Sequence, residues 1–329
     1  MKHFKHSAFS LIELLFVIVV LGIVASLGSD IIARAYESYI SAKTNNESKT
    51  RLTHALHIIS THLKYRIKES VIGRDLFADN PNWATNFSAV TQTPANRLEI
   101  LEWIGYDNDS LKGQWLSPNN VPGFSGFIDI NSTLTTRSQL SLPGSRLDFA
   151  HNIIWSLSNN RVGLEGGIGV NQPAIFFKEY SEDINISHFW PSAAMVPDNN
   201  YSHQVECIAQ DCTTSPSVIN LLDGLPINPV LNRAEIVEHA YLAWSAYSIV
   251  PVQNNVNGIN TDFNLTLSYN YQPWEGEHYN DVTTQSSLLI PNITLFDFNT
   301  SGTNSIEVRL CIDSGFVTNT ELCAKEVIY

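Results

Sequence analysis

The pattern of hydrophobic and polar positions changes period along this chain. From Phe9 to Leu27 it is almost wholly apolar, with Glu13 as its only charge. Residues 9–28 would span about 30 Å as a helix, the thickness of a bilayer core. Beyond Asp30 the apolar residues recur at helical spacing: Ile32, Tyr36 and Tyr39, then Leu52, Leu56, Ile59, Leu63, Ile67 and Val71. No proline precedes Pro81 and no glycine lies between Gly28 and Gly73, so the pattern predicts one helix from Phe9 to Ile72. Such a helix would be roughly 95 Å long, with the polar stretch Ser41 to Thr50 as its weakest section. Gly73 suits its end, and Lys64, Arg66, Lys68 and Arg74 suit the negative pole there.

From Gly73 to about Arg233 the pattern turns irregular, and Pro, Gly and Asn clusters punctuate short apolar runs. Ile153 to Leu157 and Ala174 to Phe177 read as strands, while Leu98 to Ile104 fits helix or strand. Gly163 to Gly169 reads as a loop, without the Lys-Ser/Thr ending of a phosphate loop. In the last hundred residues the period falls to two: Leu265, Leu267, Tyr269 and Tyr271 alternate with polar neighbours, as do Ile306, Val308, Leu310 and Ile312. With Ile236 to Val250, Leu288 to Phe298 and Ala324 to Tyr329 this gives about five strands of an antiparallel sheet with one face to cover. The amphipathic half of the long helix is the natural cover, so the expected fold is α+β, a long N-terminal helix packed on an antiparallel sheet head.

Composition changes this picture little, but charge and cysteines sharpen it. The formal net charge is −13, which repels phosphate backbones and argues against direct nucleic-acid binding. Lys2 and Lys5 precede the apolar run, which places that end in the cytoplasm and everything after Asp30 outside. The leader is too short for a secretory signal, because the apolar run follows the small residue Ala8 instead of preceding it. Cys207 with Cys212 and Cys311 with Cys323 lie on the exported side, where an even count reads as disulfides. Four cysteines allow three pairings, of which the local one closes the shortest loops. A carboxylate such as Glu13 inside a membrane-length segment costs free energy unless it is paired, so it calls for a function.

Ala8-Phe9-Ser10-Leu11-Ile12-Glu13-Leu14-Leu15, with the apolar run behind it, resembles the N-terminal processing and methylation motif of type IV prepilins and type II secretion pseudopilins. The resemblance covers about the first thirty residues. It implies cleavage by a prepilin peptidase between Ala8 and Phe9, N-methylation of Phe9, and an assembly role for Glu13 against a neighbouring subunit. Ala8 stands where the family usually has Gly, and Glu13 is retained where K-type tip subunits typically lack it. Strands ending near Cys311 and a final Cys323 resemble the disulfide-closed ends of J-type minor pseudopilins and minor pilins. The implied layout is a leader at 1–8, a transmembrane helix at 9–29, its amphipathic continuation at 30–72, an enlarged variable part of the head at 73–233 and a C-terminal sheet at 234–329. The implied partners are other pilins of the filament, the peptidase and an inner-membrane assembly platform. The implied work is that of a structural subunit near the tip of a secretion, pilus or DNA-uptake filament, with a tip adhesin or cargo-binding module as the alternative.

Other residue groups carry weaker chemistry. His203, Cys207 and Cys212, with His188, could be read as a zinc site, but disulfide closure suits the spacing and compartment better. Asp107-Asn108-Asp109 reads as an Asx turn, since no calcium loop follows. His54, His57 and His62 read as solvated or packing residues, and Gly123 to Gly126 is not a nucleophile elbow. No nucleophile, base or metal cluster emerges, so neither an enzyme nor a cofactor is expected. Nine Asn-x-Ser/Thr triplets occur, and five have Asp two residues earlier: Asn131, Asn185, Asn200, Asn264 and Asn299. That extended pattern resembles the acceptor of bacterial oligosaccharyltransferases and marks these asparagines as candidate glycosylation sites.

Overall fold

The computed structural model describes residues 10–74, 100–116, 119–178, 189–190, 202–225, 227–228, 233–234, 236–253, 262–301, 305–313 and 321–329. Helix α1 runs unbroken from Leu11 to Lys64, about 80 Å at 1.5 Å per residue. Its start is fixed locally by a reciprocal capping box. The Ser10 hydroxyl accepts the Glu13 backbone N–H at 3.3 Å, and the Glu13 carboxylate accepts the Ser10 backbone N–H at 3.1 Å. No residue from Leu11 to Glu47 is buried; from Ser48 onward Leu52, Ala55, Leu56, Ile59 and Leu63 are.

The helix stops at Lys64, short of the expected Ile72, because strand backbone captures the chain that follows. Ile67 donates its N–H to the Ile104 carbonyl, and Tyr106 donates to the Tyr65 carbonyl, each at 2.8 Å. Ile67, Val71 and Ile72 are still buried, but from an irregular segment that leads into a strand. The β-branched pair Val71-Ile72 suits extended backbone.

Strands β1 (Ile72–Arg74) and β2 (Ile100–Gly105) pair antiparallel. The chain then makes an excursion through α2 (Asn108–Lys112), the small ladder of β3 (Gln114–Leu116) and β4 (Asn119–Val121), β5 (Gln139–Ser141), α3 (Leu147–Leu157), β6 (Ala174–Phe177), β7 (Ser202–Cys207) and β8 (Val218–Leu221). A two-residue ladder, β9 (Ile227–Asn228) with β10 (Arg233–Ala234), precedes β11 (Ala240–Ala243). The chain returns as β12 (Ser245–Gln253), β13 (Phe263–Tyr271), β14 (Gln285–Ser301), β15 (Ser305–Asp313) and β16 (Glu321–Ile328).

These segments build two main sheets. The first has seven antiparallel strands in the order β1-β2-β12-β13-β14-β15-β16, with α1 against β14, β15 and β16. Leu52, Leu56, Ile59 and Leu63 share one core with Leu265, Ile290, Phe298, Val308 and Leu310. The period-two pattern has its physical cause here, since the outward positions carry ion pairs: Arg309 with Asp297 at 2.9 Å and Lys325 with Glu307 at 3.3 Å. The second sheet, in the order β11-β6-β7-β8-β5, shares a separate core with α3.

Ile153 to Leu157, read from sequence as a strand, belongs to α3. Its β-branched and aromatic residues suggested extension, but Leu147, Ala150 and Ile154 bury one helical face. Ala174 to Phe177 is a strand, and Ile100 to Gly105 resolves the ambiguous stretch before it.

A third core joins the sheets through Ile104, Phe176, Ala243, Ala246, Tyr271 and Trp274. Beside it Arg74 and Glu102 form a buried ion pair at 2.6 Å, and the Tyr271 hydroxyl donates to Glu102 at 2.8 Å. Two disulfides close the head. Cys207–Cys212 follows β7, and Cys311–Cys323 links directly opposed residues of β15 and β16. The protein is thus α+β, a long apolar N-terminal helix packed against antiparallel sheets.

Candidate functional site

The assembly chemistry read from the sequence converges on the start of α1. Ala8 and Phe9 lie outside the described residues. Glu13 occupies the first turn and is exposed along its neighbours. Its Oε2 accepts both the Ser10 N–H, at 3.1 Å, and the Ser10 hydroxyl, at 3.2 Å. A carboxylate at a helix N-terminus also sits at the positive pole of the helix dipole. Glu13 is therefore held by Ser10 at the N-terminal end of α1. The helix behind it is long and apolar enough to cross a membrane.

The remaining sequence candidates are scattered. Cys207 and Cys212 are bonded to each other, which removes the thiolates a zinc site would need, while His203 is buried in β7 near the Phe177 ring. His188 is outside the described residues. His54 and His57 face outward, and His62 lies against Tyr247 with ring centroids 5.1 Å apart. Asn131 is exposed in a turn where Asp129 accepts its N–H at 3.0 Å. Asn299 is exposed on β14. Asn264 is half-buried in β13, and its side-chain oxygen accepts the Asn292 N–H at 3.3 Å. Asn185 and Asn200 are outside the described residues.

One arrangement has no local signal in the sequence. Where α1 ends between the two sheets, Tyr65, Tyr106 and Tyr241 line up. Tyr65 meets Tyr106 edge-on at 5.8 Å, and Tyr106 stacks on Tyr241 at 4.9 Å. Lys112 lies 5.8 Å from the Tyr65 ring and Lys178 lies 4.1 Å from the Tyr241 ring, so an ammonium group stands at each end of the row. Cavities of about 230 and 280 Å³ flank the row, and Tyr106 and Asp107 border both.

Asp107 is set there by local turn chemistry. It N-caps α2, with Oδ1 accepting the Ser110 N–H at 3.0 Å, while its own N–H is tied to the Leu242 carbonyl at 2.7 Å. Among the described residues Oδ2 takes no hydrogen bond of good geometry, although the Ser110 hydroxyl lies close enough to steady the charge. Burial pushes the carboxyl up to about 6, a rise that the Ser110 hydrogen bonds hold back and that Asp109 reinforces. Burial also lowers His62, which favours its neutral form. Gly105 is required beside this row, because a Cβ there would stand 2.5 Å from the Tyr247 ring.

Comparison with known proteins bears on the first of these two places. No curated protein and no solved structure matches the chain. Residues 3–29 match the family model for the prokaryotic N-terminal methylation motif, and this match supports a subunit of the type IV pilin and pseudopilin kind.

Proposed function

We propose that this protein is a minor pilin or pseudopilin, a structural subunit of a type II secretion, type IV pilus or DNA-uptake filament, and not an enzyme. The observation that carries this reading is α1 itself: a continuous helix whose apolar half is unburied, capped by Ser10 together with Glu13 within the residues that match the methylation motif. In this reading prepilin peptidase cuts between Ala8 and Phe9 and Phe9 is methylated. Before assembly the helix spans the inner membrane once, with its N-terminus in the cytoplasm and the head in the periplasm. An assembly platform then passes it into the filament, where Glu13 pairs with the amino terminus of an adjacent subunit. Helices in lipid gain little from hydrophobic burial against each other, so a paired charge supplies both registry and a gain on association.

The second sheet makes the head broader than one sheet on one helix, which favours a place near the tip over the repeating shaft, in the manner of J-type minor subunits. Expression of the full chain with a prepilin peptidase should yield a product that has lost residues 1–8 and gained one methyl group at Phe9. An uncut chain in the presence of active peptidase would overturn the processing step. Glu13→Ala should leave the head folded and membrane-bound but reduce filament incorporation, and normal incorporation would remove the role assigned to Glu13. Among the acidic sequons within the described residues, Asn131 ranks first as a glycan acceptor, because it is exposed in a turn and not paired within a sheet.

A further inference from the structure

We propose that the outward face of α1 from Lys49 to Lys64 docks against the acidic outer face of the first sheet in a second copy of this chain, standing beside it in the membrane. Between Glu47 and Glu69 the sequence has no acidic residue. Lys49, Arg51, His54, His57 and Lys64 are exposed there, away from the side that Leu52, Leu56, Ile59 and Leu63 bury against the sheet. Among the described residues Lys49, Arg51 and Lys64 have no carboxylate at ion-pairing distance, whereas Lys112, Arg146, Arg161, Arg309 and Lys325 of the head each have one. The hydroxyls of the same face are spent within the helix. Thr50, Thr53 and Thr61 donate to the carbonyls of Asn46, Lys49 and His57 at 2.8, 2.9 and 2.7 Å, which leaves the cations as its open polar groups.

Charge and height select what meets this face. Residues 75–329 hold 27 acidic against 9 basic side chains. On the side of the first sheet turned away from α1, the outward positions of β14, β15 and β16 include Asp297, Glu307, Asp313 and Glu321 against Arg309 and Lys325. The basic and acidic faces therefore lie on opposite sides of one subunit, as a heterologous contact that repeats from copy to copy requires. The head packs on α1 over the same turns that carry the cations, so parallel helices in one membrane bring the basic face of one copy to the height of the acidic face of the next. Two basic faces would repel each other. A lipid surface is out of reach, because Lys49 stands about 30 Å along an unbroken helix from Gly28. A nucleic acid drawn to the helix would meet the acidic head beside it. Each copy carries −13, but at about 0.1 M salt a screening length of about 10 Å hides most of that charge while groups in contact still attract.

This inference rests on the single-pass reading of α1, which makes neighbouring copies parallel. The test places the full chain, labelled at its C-terminus with a donor or an acceptor dye, in phosphatidylcholine vesicles and compares energy transfer with that of unassociated chains at the same surface density. Alkaline extraction separates the two readings. A chain that washes off refutes the membrane reading and the docking with it, whereas an inserted chain without excess transfer overturns the docking alone. Excess transfer is expected at about 0.1 M salt and should be lost at about 1 M. The combined Lys49→Glu, Arg51→Glu and Lys64→Glu changes should weaken association tenfold or more, and so should Asp313→Lys with Glu321→Lys. Mixing the two reversed chains should restore it, because the helix of the first then matches the sheet of the second. Where unfolding curves show that a reversed chain has lost its fold, Gln at the same positions takes its place, with a smaller loss expected. Association indifferent to these changes, or a mixture that fails to associate, would overturn the proposal. So would oligothymidylate binding to the parent chain that the helix changes remove.

Discussion

Asp107 carries two demands that pull in opposite directions. As N-cap of α2 it gains by accepting the Ser110 N–H, yet burial disfavours its charge and pushes its carboxyl up to about 6. Its folded-state value lies above the unfolded one, so the native state holds the proton more tightly. Stability therefore falls as pH rises from about 4 to about 6 and stays reduced above, by on the order of 2–3 kcal/mol. Asp107→Asn keeps an N-cap acceptor and removes the charge. The variant should be more stable than the parent near pH 8, with the gain shrinking toward pH 4; parallel denaturation curves across that range would contradict the assignment. Glu102 poses the opposite case, a buried carboxylate that is fully engaged by Arg74 and Tyr271. Glu102→Leu removes the carboxylate that pairs with the buried Arg74 guanidinium and should cost about 3–5 kcal/mol, read as a lowered denaturation midpoint.

Among the elements, α1 does two jobs with two different surfaces. Leu56 is 4% exposed against the first sheet, whereas Leu21 is 67% exposed. Leu56→Ala should cost the head about 2–5 kcal/mol, while Leu21→Ala should leave head stability unchanged. The disulfides differ through loop length, with sequence separations of 5 and 12. Loop-closure entropy assigns about 2 kcal/mol to Cys207–Cys212 and about 3 kcal/mol to Cys311–Cys323, so replacing each pair by Ser and comparing denaturation midpoints should rank them in that order. The legible elements are those with one dominant local cause. The apolar run of α1 and the alternation in β13 and β15 could be read because each residue's burial follows from its own strand or helix face. The end of α1 was not legible: Ile67 and Val71 keep the helical spacing, but the competing partners for that backbone, Ile104 and Tyr106, come from a strand distant in sequence. α3 is poorly legible because the β-branched pair Ile153-Ile154 outweighs the weaker helical spacing of Leu147, Ala150 and Ile154.

In the whole molecule, the excursion between β2 and β12 builds a second sheet with its own core and leaves a cleft where it rejoins the first. The two candidate sites differ in legibility for the same reason. Glu13 sits in a contiguous motif, so the sequence exposes it directly. Tyr65, Tyr106 and Tyr241 come from the end of α1, the end of β2 and β11, and only the fold brings them into one row. The box that caps α1 and the unburied stretch to Glu47 also have a mechanical meaning. A pull on the N-terminal end travels along a helix that has no buried residue before Ser48, and the buried part of α1 that receives it begins there. There Leu52, Leu56, Ile59 and Leu63 meet the sheet together, so an axial load is shared in shear among several turns of helix instead of peeling them away one at a time.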